Sequence, residues 1–376
     1  MRILYLINSV EGGGAALPVP RIVHALASHG ASVSVFALTR RDGRALQSFE
    51  QAGLPVVIRE GGERDHGAAF RWVGQILDER RPDVLWTSLS RATLLGQRAA
   101  CSRGVPVVSW QHAAYLKPGN AFLLRRQQHL SALWIGDSDH VTGLIRQRLA
   151  VAPDRLLTWP IFAADPSALP SAEWRPGECL NIGSLGRLHP VKGYDVLIKA
   201  VAMLRRSGFR APVPWRISIA GEGAERGRLT RLIRELSPEN VTLAPFTPDP
   251  ASFLAGLHAY VQPSRSEGFC IAAHEAMQAG LPVLASEVGE LSNSIEQGSS
   301  GWLVRGGDVE DLADGLFALL SEPRRLQGLG QTARRRVLER FGQDRFRTIA
   351  GTILDRLAGI GQARRPASDS GSVRSS

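Results

Sequence analysis

The sequence predicts an α/β protein of two domains, each built on a doubly wound parallel sheet with helices on both faces. Short apolar runs alternate with helical patterns over the first ~150 residues, as in parallel strands joined by crossover helices. The alternation breaks at residues 165–178 and then restarts over a second stretch of similar length. A chain of 376 residues agrees with this prediction, since globular domains usually hold about 100–200 residues.

The first domain is assigned to residues 1–165 from the order of its segments. The apolar run ILYLINSV is followed by a glycine turn, a helical pattern from Leu17 to Ala27 and a second apolar run, ASVSVFAL. Strand, turn, helix and strand in this order form a βαβ unit. The alternation continues through the strands LPVVI, PDVLWTS, VPVVSW and LWIGD and through helices at 68–79 and 92–103.

The second domain is assigned to residues 166–342. It follows a stretch, Asp165–Glu178, that holds three prolines and no periodicity, which predicts a linker. The later segments are the strands LNIGSLG, WRISIAG, VTLAP, AYVQPS, LPVLAS and GWLV and helices at 194–206, 225–236, 271–279 and 309–320. Residues 324–357 have a helical pattern broken near Phe341–Gly342, and the polar tail 361–376 is expected to be disordered.

Composition narrows the class of protein. The three cysteines, Cys101, Cys179 and Cys270, are widely spaced, which argues against a disulfide framework and against a zinc site. No apolar run reaches the ~18–20 residues that cross a bilayer, and the N-terminal run lacks a signal-peptide cleavage site. These features predict a cytoplasmic protein.

The net charge of +10 favours an anionic partner. A phosphate-bearing substrate, an acidic membrane surface and a nucleic acid would each suit that charge. We expect no nucleic-acid partner, because no known binding module occurs and aromatic residues are only 6% of the chain. Lys117, Lys192 and Lys199 are the only lysines among 45 basic residues, so each lysine position is informative.

The segment GSLGRLHPVKGYDVLI, from Gly183 onward, predicts an anion site. An apolar strand runs into a turn that carries Arg187 and Lys192, and a helix follows from about Tyr194. Two cations beside a helix N-terminus attract an anion, because backbone N–H groups and the helix dipole add to their charge. The alternative is a solvated basic turn.

The segment PSRSEGFCIAAHEAMQAG predicts a site for hydroxyl groups. Glu267 lies in a loop and Glu275 follows eight residues later inside a helix. Carboxylates accept hydrogen bonds from vicinal hydroxyls, and the glycine after Glu267 allows close approach of backbone amides to a ligand. The same pair also suits a glycosidase, and Glu275 alone also suits an ordinary helix position. The neighbouring cations favour recognition of a nucleotide sugar.

Other polar positions at strand ends are open to two interpretations. His112 follows the strand VPVVSW, where its side chain would face the cleft and orient a hydroxyl or act as a base, or it is an ordinary loop histidine. Asp137-Ser-Asp139 follows a strand and begins a helix, so capping is favoured over a metal site. The glycines at 12–14 and at 221–227 do not complete a dinucleotide fingerprint, which argues against an NAD-dependent oxidoreductase.

A further segment, from Phe122 to Leu130, combines apolar and basic residues on a predicted helix. Such a helix suits docking on an anionic membrane surface, and it equally suits an ordinary half-buried helix.

At the two motif segments the chain resembles the retaining nucleotide-sugar glycosyltransferases of family 4, also called glycosyl transferases group 1. The resemblance rests on GRLHPVKGYDVLIKA, IAGEG, NVTLAPF and PSRSEGFCIAAHEAMQAGLPVLAS, covers about residues 1–360 and is strongest from 183 to 305. It implies the GT-B fold, with an acceptor-side first domain and a donor-binding second domain facing across a cleft. It also implies that a final helix near 343–360 crosses back to the first domain.

The resemblance implies roles for individual residues. Arg187 and Lys192 match the cations that bind the donor diphosphate and stabilise it as it leaves. Glu275 matches the residue that holds the ribose hydroxyls. The positions implied to lie near the transferred sugar or the donor phosphates are His112, Glu267, Gly268, Phe269, Cys270, Gly13 and Gly14.

Two departures from the family pattern stand out. Where the family often has a G-G-x-P-E turn, this chain has Glu290 at the second glycine, Ser292 at the proline and Asn293 at the glutamate. This turn bears on the positioning of the donor phosphates. The stretch ending the first domain is replaced by TWPIFAAD. The changed turn is the one feature that favours an alternative function, a catalytically inactive scaffold with a glycosyltransferase-like fold.

The activity that the resemblance implies is a retaining sugar transfer (EC 2.4) without metal or other cofactor. The expected donor is a UDP-, GDP- or ADP-sugar, and the expected acceptor is a glycan or a lipid-linked molecule. The expected setting is bacterial surface polysaccharide or lipopolysaccharide synthesis, in the cytoplasm and peripherally on the inner face of the plasma membrane.

Overall fold

The computed structural model describes residues 1–112, 115–236 and 238–363. Its first half forms a parallel sheet of seven strands in the order β3-β2-β1-β4-β5-β6-β7. The strands are β1 (Arg2–Ser9), β2 (Ser32–Thr39), β3 (Val56–Ile58), β4 (Val84–Ser88), β5 (Val107–Gln111), β6 (Leu133–Gly136) and β7 (Leu156–Thr158). The helices are α1 (Val19–Ala27), α2 (Leu46–Gln51), α3 (His66–Arg80), α4 (Ser90–Cys101), α5 (Pro118–Gln127) and α6 (Asp139–Leu149).

The second half forms a parallel sheet of six strands in the order β10-β9-β8-β11-β12-β13. The strands are β8 (Leu180–Leu185), β9 (Trp215–Ala220), β10 (Val241–Ala244), β11 (Ala259–Gln262), β12 (Val283–Ser286) and β13 (Gly301–Val304). The helices are α7 (Tyr194–Arg206), α8 (Arg226–Leu236), α9 (Pro250–Ala255), α10 (Ile271–Gln278), α11 (Leu291–Ser294), α12 (Val309–Ser321), α13 (Leu326–Phe341) and α14 (Gln343–Ala363).

Both sheets reverse their strand order in the middle, between β1 and β4 and between β8 and β11. In open α/β sheets, ligands bind in the crevice at such a reversal, beyond the carboxyl ends of the strands. The central strands are buried on both faces, which accounts for their continuous apolar runs in the sequence. The predicted class, two doubly wound parallel sheets, is therefore confirmed.

Two chain crossings join the halves, and they lie side by side. Ala164 forms a parallel bridge with Gly342, where the predicted break between α13 and α14 falls. Helix α14 then packs against α1, and the ring of its Phe346 lies 4.9 Å from Trp159 at the end of the first half. The predicted return of the last helix to the first half is confirmed. The domain boundaries at 165 and 342 remain a prediction; α14 reaches Ala363, and residues 364–376 of the predicted tail lie outside the described residues.

One buried apolar cluster extends from the first sheet through the crossings into the second sheet. Its aromatic members include Trp110 and Trp159, stacked at 4.9 Å, and Phe162 and Phe269, whose rings lie 6.0 Å apart across the junction. The two halves are thus packed together at the carboxyl ends of their sheets.

Of the helices in the described part of the chain, none has the length and apolar character that a membrane span requires.

Candidate active site

The predicted anion site lies directly beyond β8. Residues Pro190–Lys192 form a single 3-10 turn, and α7 begins two residues later. Gly193 between them has a left-handed φ of 67°, and a β-carbon there would lie 1.9 Å from the carbonyl oxygen of Pro263. Only glycine fits this position, because the loop after β11 passes directly against the turn. The close passage brings Lys192 next to the second motif.

Lys192 and Glu267 form a half-buried ion pair at this junction. Lys192 Nζ lies 2.7 Å from Glu267 Oε1, and the two side chains are 21% and 10% exposed. Burial by itself lowers the pKa of Lys192, but the Glu267 carboxylate outweighs it, and the pKa stays above its ordinary value. Lys192 is therefore charged at neutral pH and available to an anion.

The same oxygen of Glu267 accepts two further hydrogen bonds. Ser264 Oγ donates at 2.6 Å and Gln262 Nε2 at 3.2 Å, both from the buried end of β11 and the loop that follows. Three donors thus converge on Oε1, and the Cys270 thiol also interacts with this carboxylate.

Arg187, the second predicted cation, is exposed on the loop that follows β8. Its side chain makes no hydrogen bond or ion pair within the part of the chain that the structure describes. Arg187 and Lys192 lie on one loop, yet only Lys192 is held by a carboxylate. The guanidinium of Arg187 can therefore turn toward a bound anion without breaking an existing contact.

The segment Glu267–Cys270, here called the donor loop, lies against the first half of the protein. A β-carbon on Gly268 would lie 2.3 Å from the carbonyl oxygen of His112, and Ser138 Oγ donates to the Gly268 carbonyl at 3.3 Å. Phe269 is buried, and Cys270 has a left-handed φ of 68° at the start of α10. Positive φ is strained for a residue other than glycine and persists only where the surroundings fix it.

Glu275 lies on α10, one turn beyond the start of the helix, and is half-buried. Burial raises the pKa of its carboxyl to about 7, an effect that Arg21 on α1 partly offsets. Its carboxyl group makes no hydrogen bond with another described residue. A desolvated and unpartnered carboxylate of this kind is a strong acceptor for ligand hydroxyls.

The predicted glycine loop faces the second half of the protein. A β-carbon on Gly13 would meet no atom within 4 Å, and one on Gly14 would lie 3.5 Å from Ile271 at the start of α10. The loop after β1 and the start of α10 therefore face each other at the junction of the two halves. Gly14 comes close to α10, and the space beside Gly13 is open.

His112 differs from the expectation that its side chain faces the cleft. The imidazole is 6% exposed: Nε2 lies 2.7 Å from Ser88 Oγ, and Nδ1 lies 3.7 Å from Asp137 Oδ2. Its ring packs on Trp110 at 5.4 Å between centroids, and burial lowers its pKa to about 3. The ring is turned into the first half because it fills the space between the ends of β4 and β6. The backbone carbonyl of His112 meets the donor loop at Gly268.

Two residues of the motif Asp137-Ser-Asp139 have different roles. Ser138 caps α6, its Oγ accepting from the Val141 N–H at 3.1 Å, as the capping interpretation predicted. Asp137 is buried instead, and its pKa is raised by burial and by the negative charge of Glu267 across the junction. Sequence analysis missed Asp137 and Ser88 as neighbours of His112. The available signal was that all three follow or end adjacent strands.

The changed turn borders a cavity of about 500 Å³ between the two halves. Gly289 has a left-handed φ of 61°, and the N–H of Glu290 donates to the Gly268 carbonyl at 3.0 Å. The lining residues come from the start of α6, the loop between β11 and α10, and the segment that follows β12: Asp139, His140, Arg265, Ser266, Glu267, Glu287, Val288, Gly289, Ser292 and Asn293. Within the described ranges, no group of three or more His, Cys, Asp or Glu side chains is arranged to hold a metal ion.

Models of known protein families match both halves of the chain. The family model for the glycosyl transferase 4-like domain matches residues 13–150, and the model for glycosyl transferases group 1 matches residues 175–336. The first range includes the glycine loop and His112. The second includes Lys192, Glu267 and Glu275.

Several relatives of the chain are named as glycosyltransferases. The chain is 40% identical over 169 residues to a D-inositol 3-phosphate glycosyltransferase of Nocardia farcinica, a match covering 42% of this chain and 36% of that protein. It is 27% identical over 363 residues to D-inositol 3-phosphate glycosyltransferase 1 of Catenulispora acidiphila, covering 85% of each. The chain is also 37% identical over 153 residues to a D-inositol 3-phosphate glycosyltransferase of Pseudarthrobacter chlorophenolicus, and this match, like that to the Nocardia protein, spans only 36% of the relative's length.

Solved structures share the fold at low sequence identity. HepE of Anabaena in complex with UDP-glucose superposes with a TM-score of 0.80 at 21% identity, covering 94% of this chain and 99% of that chain. The lipopolysaccharide outer core galactosyltransferase WaaB in its apo form gives a TM-score of 0.73 at 17% identity, covering 95% and 100%. Fold, motifs and family models agree: the chain belongs to the family 4 glycosyltransferases, the glycosyl transferases group 1 proteins, and has the GT-B fold.

Proposed function

We propose that the protein transfers a sugar, with retention of anomeric configuration, from a nucleotide-diphosphate sugar to a hydroxyl of a second molecule. The observation that carries this proposal is the Lys192–Glu267 pair, with 2.7 Å between Nζ and Oε1, at the strand-order reversal of the second sheet. A cation for phosphate and a carboxylate for sugar hydroxyls thus stand side by side. A nucleotide sugar presents both groups close together, because its diphosphate is attached to the anomeric carbon of the hydroxyl-bearing sugar.

The chain's own residues supply the electrostatics of the step. Lys192 and Arg187 bind the diphosphate, and the charge that develops on it as it leaves is stabilised more strongly in the transition state than in the ground state. The bond between the anomeric carbon and the phosphate oxygen breaks, the bond to the acceptor oxygen forms on the same face, and the acceptor proton passes to the departing diphosphate. Glu267 orients the sugar by accepting hydrogen bonds from its hydroxyls.

Glu275 is proposed to bind the ribose. The glycine loop at residues 13–14 is proposed to bind the phosphates. The half-buried carboxylate of Glu275 has no partner in the described protein, and two vicinal hydroxyls would satisfy both of its oxygens. His112 is proposed to act near the sugar through its backbone carbonyl, because its ring is committed to Ser88. Packing of the two halves around the ligand would exclude water and limit hydrolysis of the donor.

The donor nucleotide proposed first is UDP, because the HepE structures of similar fold hold UDP and UDP-glucose. GDP- and ADP-sugars are the alternatives. The proposed acceptor is a glycan or a lipid-linked molecule in surface polysaccharide or lipopolysaccharide synthesis. The name of the relatives, D-inositol 3-phosphate glycosyltransferase, adds a phosphorylated cyclitol to the acceptors to be tested.

The test is a transfer assay that reads the product directly. Wild type is incubated with UDP-, GDP- and ADP-sugars and an acceptor panel, and the anomeric configuration of the product is read by NMR. One donor giving a product of retained configuration, with no product from Glu267→Gln, supports the proposal. Binding of a nucleotide without transfer to any acceptor and without donor hydrolysis would favour the inactive-scaffold alternative, whereas an inverted product would contradict the mechanism.

A second proposal concerns the membrane. Around α5, Tyr115, Phe122 and Leu123 are 64%, 59% and 41% exposed, and the helix ends in Arg125 and Arg126. Exposed apolar side chains beside cations suit an anionic bilayer surface and would bring a lipid-linked acceptor to the first half. We expect flotation with vesicles containing anionic lipid, and loss of flotation in Phe122→Ser/Leu123→Ser. Failure of the wild type to float would overturn this proposal.

A further inference from the structure

The changed turn of this chain carries a buried charge. Glu290 is 2% exposed, and its Oε1 lies 2.7 Å from Nη2 of Arg340 on α13. The family pattern has glycine at this position, with no charge to bury. A buried carboxylate is costly unless it is paired, so Glu290 depends on Arg340.

The backbone of this turn lies directly on the donor loop. The Glu290 N–H donates to the Gly268 carbonyl at 3.0 Å, and a β-carbon on Gly289 would lie 2.4 Å from the Glu267 carbonyl. The turn and the donor loop are therefore in direct contact. A shift of Glu290 would therefore shift the residues that are proposed to meet the sugar.

The donor loop needs such support. Cys270 holds a left-handed φ of 68° that its own backbone disfavours. In the family turn a proline restricts the backbone, and here Ser292 stands at that position. An ion pair that fixes the turn by its side chain can replace the restriction that the proline would supply.

Arg340 connects the turn to the chain crossings. It also donates to the Asn293 carbonyl, and its neighbour Phe341 packs on Phe269 of the donor loop with 5.0 Å between ring centroids. The next residue, Gly342, forms the bridge to Ala164. The end of α13 thus touches the turn, the donor loop and both crossings between the halves.

We infer that Glu290 and Arg340 are positioning residues whose ion pair holds the donor loop in its binding conformation and ties that loop to the crossings between the two halves. The inference deepens the proposed function and rests on it for one readout, nucleotide binding. Neither residue is placed in contact with the sugar or the phosphates.

The decisive variant is Glu290→Met/Arg340→Met, which removes both charges and keeps the side-chain volume. UDP is the probe, with its Kd measured by calorimetry, and hydrogen exchange is followed on the peptide that covers 264–272. If the variant holds the binding conformation in only about a tenth of its molecules, Kd rises about tenfold. Exchange of this peptide should accelerate, while peptides from β8 and β11 keep wild-type rates. Glu290→Gln alone keeps an oxygen that accepts a hydrogen bond from Arg340 and should weaken binding less than the double variant does.

The matched control is Glu322→Gln/Arg325→Met, which removes an exposed pair of 3.0 Å in the same half of the protein. It should bind UDP as wild type does. A double variant at 290 and 340 that folds, binds UDP within twofold of wild type and exchanges the loop at the wild-type rate would overturn the inference. Failure of wild type to bind any nucleotide would instead overturn the proposed function, and accelerated exchange of the loop would then still support the positioning role.

Discussion

The carbonyl oxygen of His112 faces the α-carbon of Gly268 so closely that a β-carbon on Gly268 would lie 2.3 Å from it. His112 directly follows β5 in the first half of the protein, and Gly268 lies in the donor loop of the second half. The two halves of the protein therefore meet backbone to backbone at the proposed site. A glycine is required here for close approach, since the neighbour is rigid backbone rather than a flexible side chain.

Gly268→Ala should separate the halves without unfolding either sheet. The added methyl group cannot fit against the His112 carbonyl, so we expect kcat/KM for sugar transfer to fall at least ~100-fold, as misplacement by about 1 Å can do. Steady-state kinetics measures the loss. The control is Gly328→Ala on α13, where a β-carbon meets nothing within 4 Å and where alanine should add about 0.5–1 kcal/mol of stability. Equal activity of both variants would show that the contact does not matter for turnover.

Glu275 should make donor binding depend on pH. Burial raises its pKa to about 7, so it is mostly protonated at pH 6 and mostly ionised at pH 8. Only the ionised form accepts hydrogen bonds from both ribose hydroxyls, and binding of UDP should therefore tighten as pH rises through 7. In Glu275→Gln the inflection should be absent. In His112→Gln it should remain, because the pKa of His112, lowered to about 3, lies far outside this range.

The same carboxyl group should have the opposite effect on stability. A folded-state pKa above the unfolded value means that the folded protein binds more protons, so its stability falls as pH rises from about 4.5 to about 7. Glu275→Gln removes this penalty. At pH 8 we expect the variant to gain about 1–3 kcal/mol and to have a higher Tm, while it loses nucleotide affinity. A lower Tm at pH 8 would mean that Glu275 makes stabilising contacts in the free protein.

Loss of the Lys192 side chain should destabilise the protein more than loss of the Arg187 side chain, although both residues are proposed to bind phosphate. Lys192→Ala leaves the largely buried Glu267 without its cation and should cost about 1–3 kcal/mol in the free energy of unfolding. Arg187→Ala removes an exposed side chain and should change stability by less than about 0.5 kcal/mol. Urea unfolding of the two variants measures the difference. Equal losses would contradict the ion-pair geometry.

Much of this arrangement follows from sequence pattern. Apolar runs and glycine turns predict both sheets, and the placement of Lys192 and Glu267 after strands that prove to be neighbours predicts their proximity. The three-residue strand β7 is too short for a periodic signal. The ring of His112 is oriented by Ser88 and Asp137, which lie 24 residues before it and 25 after it. Glu290 and Arg340 are 50 residues apart, and nothing local in either segment indicates the other.

The most direct test of the central claim is a calorimetric titration of UDP, GDP and ADP into wild type, Lys192→Ala and Lys199→Ala. Lys199 is an exposed lysine on α7, so its variant controls for loss of one positive charge. We predict that wild type and Lys199→Ala bind one nucleotide with the same Kd and that Lys192→Ala binds it at least ~10-fold more weakly, a difference of about 1.4 kcal/mol. Equal binding by Lys192→Ala, or no binding of any nucleotide by folded wild type, would contradict a donor site built on Lys192 and Glu267.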